Sequence, residues 1–176
     1  RGLVGSEMCI RDRFTGEKAL CSACHPADLA DPMDLFTDYS FDNLGGPKNP
    51  ANPVYQVDPG FVDLGLGGFL GDPAEYGKQK VPTLRNVGKK PGPGVVKAFS
   101  HNGYFKSLEQ IVHFYNTRDA KPTCPGPYTA DEAMAADCWP APEVAVNMNT
   151  DELGDLGLTA AEEAAIVAFM RTLSDE

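Results

Sequence analysis

The pentapeptide Cys21-Ser22-Ala23-Cys24-His25 limits what this chain can fold into more than any other stretch of it. Two thiols three positions apart, followed at once by an imidazole, form the attachment pattern of a c-type haem: the thiols add to the two vinyl groups and the histidine ligates the iron. The spacing suits that chemistry, because positions 21 and 24 lie about one helical turn apart and His25 then projects from the helix end beneath the porphyrin. Two other uses of a Cys-x-x-Cys pair fit less well. A dithiol redox motif needs a thioredoxin-like βαβ setting, and a zinc site needs a second Cys/His pair; neither accompanies these residues. The pattern predicts one covalent haem c held by Cys21, Cys24 and His25.

A haem also explains the sequence that follows. From Pro26 to about Pro93 the chain is rich in Gly, Pro, Asp and Asn, as in Gly45-Gly46-Pro47 and Gly65-Leu66-Gly67-Gly68, which is loop chemistry. A loop of that length in a compact domain usually wraps something, and a large apolar disc supplies the core that irregular backbone cannot build alone. Leu35, Phe36, Tyr39, Phe41 and Leu44 are the expected haem or core contacts, with residues 35–41 as a short extended piece. Residues 80–87 read as an extended segment set by Pro82, then a turn. Their Arg85 is a candidate partner for a haem propionate, since a guanidinium pairs bidentately with a carboxylate.

Regular structure is expected at three places. Phe14 to His25 reads as a short helix ending at the haem motif. After the Asn102-Gly103 turn, Ser107 and Gln110 form a capping-box pattern, and Leu108, Ile111, Val112 and Tyr115 recur on one helical face. Tyr115 therefore points inward and His113 outward. Thr159 and Glu162 open a last helix with Ile166, Phe169, Met170 and Leu173 on one stripe. Between these helices, Cys124 and Cys138 are expected to pair in an oxidising compartment, with Trp139 against the bridge or the haem. The fold class expected is all-α: a cytochrome c-like haem domain with crossing terminal helices, long wrapping loops and little β structure.

One domain suits the 176 residues, and no internal repeat divides them. The formal net charge of −10 argues against nucleic acid and against an anionic membrane surface as partners. The sequence holds no run of 18 apolar residues, the length that a membrane-spanning helix needs. No signal peptide is visible, although covalent haem attachment occurs outside the cytoplasm and a periplasmic location is expected. Residues 1–13, RGLVGSEMCIRDR, resemble the translation of a sequencing adapter. They are expected to be a non-native artefact or a disordered tail preceding a c-type cytochrome domain at 14–176, with the true chain cut just upstream of Phe14.

Function turns on the iron ligand opposite His25, because methionine, histidine, tyrosinate and an open position give different potentials and reactivities. The candidates are Met33, His101, His113, Tyr115, Met134, Met148 and Met170. Spacing alone leaves Met148, in a loop before the last helix, and Tyr115 level. Met148 would make the chain a free-standing mono-haem electron carrier.

Several segments together resemble one family: residues 16–25, Phe36-Thr37-Asp38, Lys80 to Val87, residues 101–109 from His101-Asn102-Gly103, and the closing 158–173. They are similar to the C-terminal haem domain of the bacterial di-haem cytochrome c peroxidase/MauG family, nearly everything after Phe14 being covered. The resemblance implies an electron-transfer haem domain of a periplasmic peroxidase-like oxidoreductase, whose peroxide-activating N-terminal haem domain is a partner missing from this chain. It implies a small redox protein or a quinol-linked donor as electron source. It also implies a calcium ion at the missing inter-domain interface near His101, for which no ligand is assigned. In the peroxidase branch a methionine ligand stands 14 residues past the turn histidine; Tyr115 holds that position here, as in the MauG branch. The resemblance thus favours His25 and Tyr115 as metal ligands and makes Arg85 a propionate neighbour. Ala19 stands where MauG has a tryptophan, six residues before the haem histidine, so quinone maturation by that exit is not implied.

Overall fold

The structure, a computed structural model, describes residues 4–28, 30–31, 34–90, 92–93 and 97–175, with residues 4–9 described by their backbone alone. Helix α1 spans Val4–Thr15 and α2 spans Cys21–Cys24. A two-residue strand β1 (Phe41–Asp42) pairs antiparallel with β2 (Gln79–Lys80), Phe41 opposite Lys80. Between them lie the short helices α3 (Pro53–Val57) and α4 (Gly65–Leu70). Helices α5 (Leu108–Thr117), α6 (Ala130–Ala135) and α7 (Ala160–Thr172) follow.

The first helix differs from the expectation at both ends. It begins ten residues before Phe14, within the segment expected to be a tail, and stops at Thr15. The haem motif forms its own turn, because Leu20 takes a left-handed conformation (φ 55°) that breaks helical continuity between Thr15 and Cys21. Helices α1 and α7 pack together, with the rings of Phe14 and Phe169 4.8 Å apart at centroids. Around them a core gathers Ala19, Leu84, Leu108, Val112, Ile166, Val167 and Met170. A second core joins α5 and α6 through Phe105, Phe114, Trp139 and the Cys124–Cys138 disulfide. Trp139 packs edge-on against Phe114 at 5.1 Å and donates from Nε1 to Thr117 Oγ1. Replacing both bridge cysteines by alanine is expected to cost about 3 kcal/mol, since they stand 14 positions apart in the sequence; urea unfolding midpoints check it.

Long loops pack here because buried asparagines satisfy their backbone, the groups that usually keep loops at the surface. Asn43 donates to the Val144 and Val146 carbonyls and accepts from Gly45 N–H. Asn102 donates to Pro47 O, and Asn49 donates to Asn102 O. Asn116, on α5, donates to Leu158 O and accepts the Leu158 N–H, tying α5 to the approach of α7. Arg118 does the same with a charge: it is buried and reaches the carbonyls of Leu44, Asn149 and Leu153. Residues 35–40 form no extended piece; Phe36 and Tyr39 have positive φ, Phe36 and Thr37 are buried, and Leu35, Tyr39 and Phe41 are exposed.

Three capping boxes start α5, α6 and α7. In the last, Glu162 accepts from Thr159 and from Lys18 Nζ at 2.7 Å. The Lys18 hydrogen bond, then the Thr159 amide, holds this carboxyl at about 2, below its ordinary 4.5. Its stabilising share is complete above pH 4.5 and is lost as the pH falls toward 2. A Glu162→Gln variant is expected to flatten the acid limb of a urea-midpoint profile over that window.

Candidate haem site

One cavity of about 620 Å³ lies between the two cores and the loops. Ligand sites commonly enclose about 300–1,000 Å³. Cys21, Cys24, His25 and Tyr115 all line it, together with Leu84, Val112, Phe114, Ile166 and Met170 from the core and Leu44 and Val81 from the loops. The pentapeptide on α2 and the inward face of α5, about ninety residues on, therefore meet in one apolar space.

His25 holds a tautomer suited to a metal. Its Nδ1 lies 2.8 Å from the Phe36 carbonyl, so Nδ1 carries the proton and Nε2 keeps its lone pair. Burial pushes its acidity toward the neutral ring, the state that binds a metal. The two thiols are pushed up to about 12, chiefly by burial and at Cys24 also by Glu152, whose carboxylate lies 3.5 Å from Sγ. Thiols held protonated are poor redox nucleophiles, which speaks against dithiol exchange. Cys24, Asp42 and Glu152 bring ligand atoms within 4.8 Å of one another. Asn149 Nδ2 already donates to both carboxylates, at 2.5 Å to Asp42 and 2.7 Å to Glu152.

Tyr115 is half-buried and lines the cavity, and no hydrogen-bond partner for its hydroxyl exists among the described residues. Burial first, then the neighbouring Cys21, Cys24 and Asp42, push its ionisation well above the usual phenol range. An iron ion would invert that preference by supplying the missing positive charge. The position of Tyr115 is locked at the C-terminal turn of α5, where its carbonyl accepts the Gly154 N–H and Gly154 O accepts the Asp119 N–H. Gly154 has φ 113°, and a Cβ there would stand 2.0 Å from Asp119 Oδ2.

Both the thiols and the imidazole fit a covalent haem, and two further features of the cavity agree. Gln79 lines it with a buried Nε2 that has no hydrogen-bond partner among the described residues, a donor left over for a polar group. Lys80 and Lys97 also line it, although Lys97 Nζ is already held by the carbonyls of Asn86, Val87 and Lys89.

The other sequence candidates are placed differently. Arg85 does not line the cavity; its guanidinium pairs with Asp175 at 2.6 Å and reaches Asp34 O. His113 is not exposed; Nδ1 faces Glu163 at 2.9 Å and Nε2 faces Lys121. Met148 packs its thioether on Gly45 and does not line the cavity, and Met134 is exposed. Met170 lines the wall as part of the α7 core, His101 lines it beside Asp63 at 3.7 Å, and Met33 lies outside the described residues. Gln79, Lys97 and Glu152 had no local signature, because Gln79 sits in a two-residue strand and the other two in loops.

No family model matches the chain. Methylamine utilization protein MauG of Paracoccus denitrificans is 35% identical over 162 residues, covering 88% of this chain and 39% of the relative. Cytochrome-c peroxidase IdrP1 of Denitromonas iodatirespirans is 31% identical over 180 residues, covering 92% and 38%. Among solved structures, a tyrosine-to-methionine variant of the diheme peroxidase BthA from Burkholderia thailandensis superposes with TM-score 0.74 at 29% identity, over 99% of this chain and 43% of that one. A MauG-like protein associated with microbial copper homeostasis shares the fold at TM-score 0.59 and 21% identity. The chain spans about two fifths of the length of these relatives. A haem-attachment motif facing an inward tyrosine, on a chain related to these proteins over most of its length, places it in the family of MauG and the di-haem cytochrome c peroxidases.

Proposed function

We propose that the chain carries one c-type haem, which Cys21 and Cys24 would hold through thioethers and whose iron His25 and Tyr115 would ligate. In this reading the fold is an all-α, cytochrome c-like domain, and the chain is the C-terminal, electron-transferring half of a periplasmic di-haem peroxidase-like oxidoreductase. The observation that carries the reading is the convergence of Cys21, Cys24, His25 and Tyr115 on a single apolar cavity. When bound, the haem supplies a one-electron couple whose potential depends on its axial ligands.

The chain's own residues set the conditions. Phe36 O fixes the imidazole tautomer, the α5–Gly154 latch fixes the tyrosine, and the apolar wall keeps water from the iron. Its partners are then a second haem domain and a small redox protein or quinol-linked donor. No helix among the described residues is long and apolar enough to cross a membrane. Calcium belongs, in this reading, to the interface with the second haem domain. The mono-haem alternative with Met148 is disfavoured by the packing of Met148 on Gly45.

The test is redox cycling without peroxide chemistry. Haem-loaded chain is expected to be reduced and reoxidised by small mediators while showing negligible turnover with hydrogen peroxide. Peroxidase turnover by this chain alone would contradict the assignment of peroxide activation to another domain.

A further inference from the structure

The haem site leaves unused a polar cluster behind one wall of the cavity. Glu143, Asp63 and His101 line that wall. Tyr55, on α3, donates its hydroxyl to Glu143, 2.9 Å from Oε1 and 2.8 Å from Oε2. The carboxylate is held in place by the Asp63 N–H, 2.9 Å from Oε1. The phenol ring is half-buried, flanked by Phe61 at 6.0 Å and by Lys48 Nζ at 5.1 Å from its centroid. Outside it the surface is apolar: Val57 is 87% exposed, Phe61 38% and Val62 40%. The residue thus bridges a solvent-facing surface and a carboxylate on the cavity wall.

Burial and the neighbouring Glu143 push Tyr55 well above the ordinary phenol range, so it stays protonated at neutral pH. A protonated phenol is hard to oxidise unless its proton leaves in the same event, and the acceptor is already hydrogen-bonded to it. We propose that Tyr55 is a proton-coupled redox residue, with Glu143 as its proton acceptor, that relays single electrons between a donor at the α3 surface and the haem carried in the cavity. The inference rests on the haem reading above.

In the oxidising step the Tyr55 O–H bond breaks, one electron leaves toward the cavity and the proton passes to Glu143. A neutral phenoxyl radical and a carboxylic acid remain. A one-electron donor at the surface reverses both transfers, returning the electron and drawing the proton back. The terminal oxidant is a hydroperoxide, which takes two electrons and two solvent protons to give an alcohol or water plus water. Two passages through Tyr55 therefore balance one peroxide.

The experiment uses the haem-loaded full chain, a photogenerated ruthenium(III) polypyridyl oxidant with persulfate as quencher, and EPR of rapidly frozen samples. Optical absorption reports haem content in each. A tyrosyl radical is expected in the wild type, lost in Tyr55→Phe and reduced in Glu143→Gln, a substitution that keeps an acceptor for the Asp63 amide. No tyrosyl signal in haem-loaded protein, or one unchanged in Tyr55→Phe, overturns the relay and leaves the haem reading standing. Should Tyr55→Phe fail to fold, an undiminished radical yield in Glu143→Gln overturns it equally. Failure to load haem overturns both.

Discussion

Haem-loaded Tyr115→Phe protein is expected to lose the iron ligand proposed at this position. The wild-type oxidised spectrum should contain tyrosinate-to-iron charge-transfer absorption, and the variant should lack it. Tyrosinate stabilises the oxidised iron, so its removal should raise the reduction potential by on the order of 100 mV. The fold should survive, because the Tyr115 hydroxyl has no hydrogen-bond partner to lose among the described residues and the ring remains. Direct redox titration and EPR of the same samples check both effects. An unchanged spectrum would remove Tyr115 from the coordination sphere.

The second large effect is on stability. Arg118→Met should cost about 3–5 kcal/mol, since it strips charged hydrogen bonds from three loop carbonyls. The guanidinium joins Leu44 O at 2.9 Å, Asn149 O at 2.8 Å and Leu153 O at 3.4 Å, and pairs with Asp119 at 2.5 Å. Methionine fills the volume but leaves those carbonyls unsatisfied in a site where Arg118 is only 8% exposed. The Asp119–Gly154 contact loosens with it, and Gly154 holds the carbonyl of Tyr115. Urea unfolding of the haem-free protein gives the stability loss. A broadened optical spectrum of the loaded variant would report the displaced tyrosine.

What the sequence revealed was mostly local. The haem pentapeptide is contiguous, the capping boxes at Ser107 and Thr159 are four-residue signals, and the inward face of α5 is a periodicity; none depends on the rest of the chain. The same capping signal at Thr129 and Glu132 was equally readable and marks α6. The disulfide was legible once an oxidising compartment was expected, and Cys124 and Cys138 are joined. What stayed hidden depends on distant partners. Arg85 could not be placed without Asp175, nor His113 without Glu163, because each charge chose a neighbour that only the folded chain supplies. The loop from 26 to 93 carried no periodicity, so its exposed Leu35, Tyr39 and Phe41 could not be told from the buried Phe36. Helix α1 was placed too late because its first residues resemble an adapter translation, yet their backbone is helical from Val4.

The central claim is that this cavity holds a haem joined covalently to the chain. It is tested most directly by the intact mass of denatured protein made alongside a c-type haem attachment system. A mass raised by one haem, resistant to acid–acetone extraction and absent from Cys21→Ala/Cys24→Ala protein, is the result expected. An unmodified mass, or haem released into the organic phase, would contradict it.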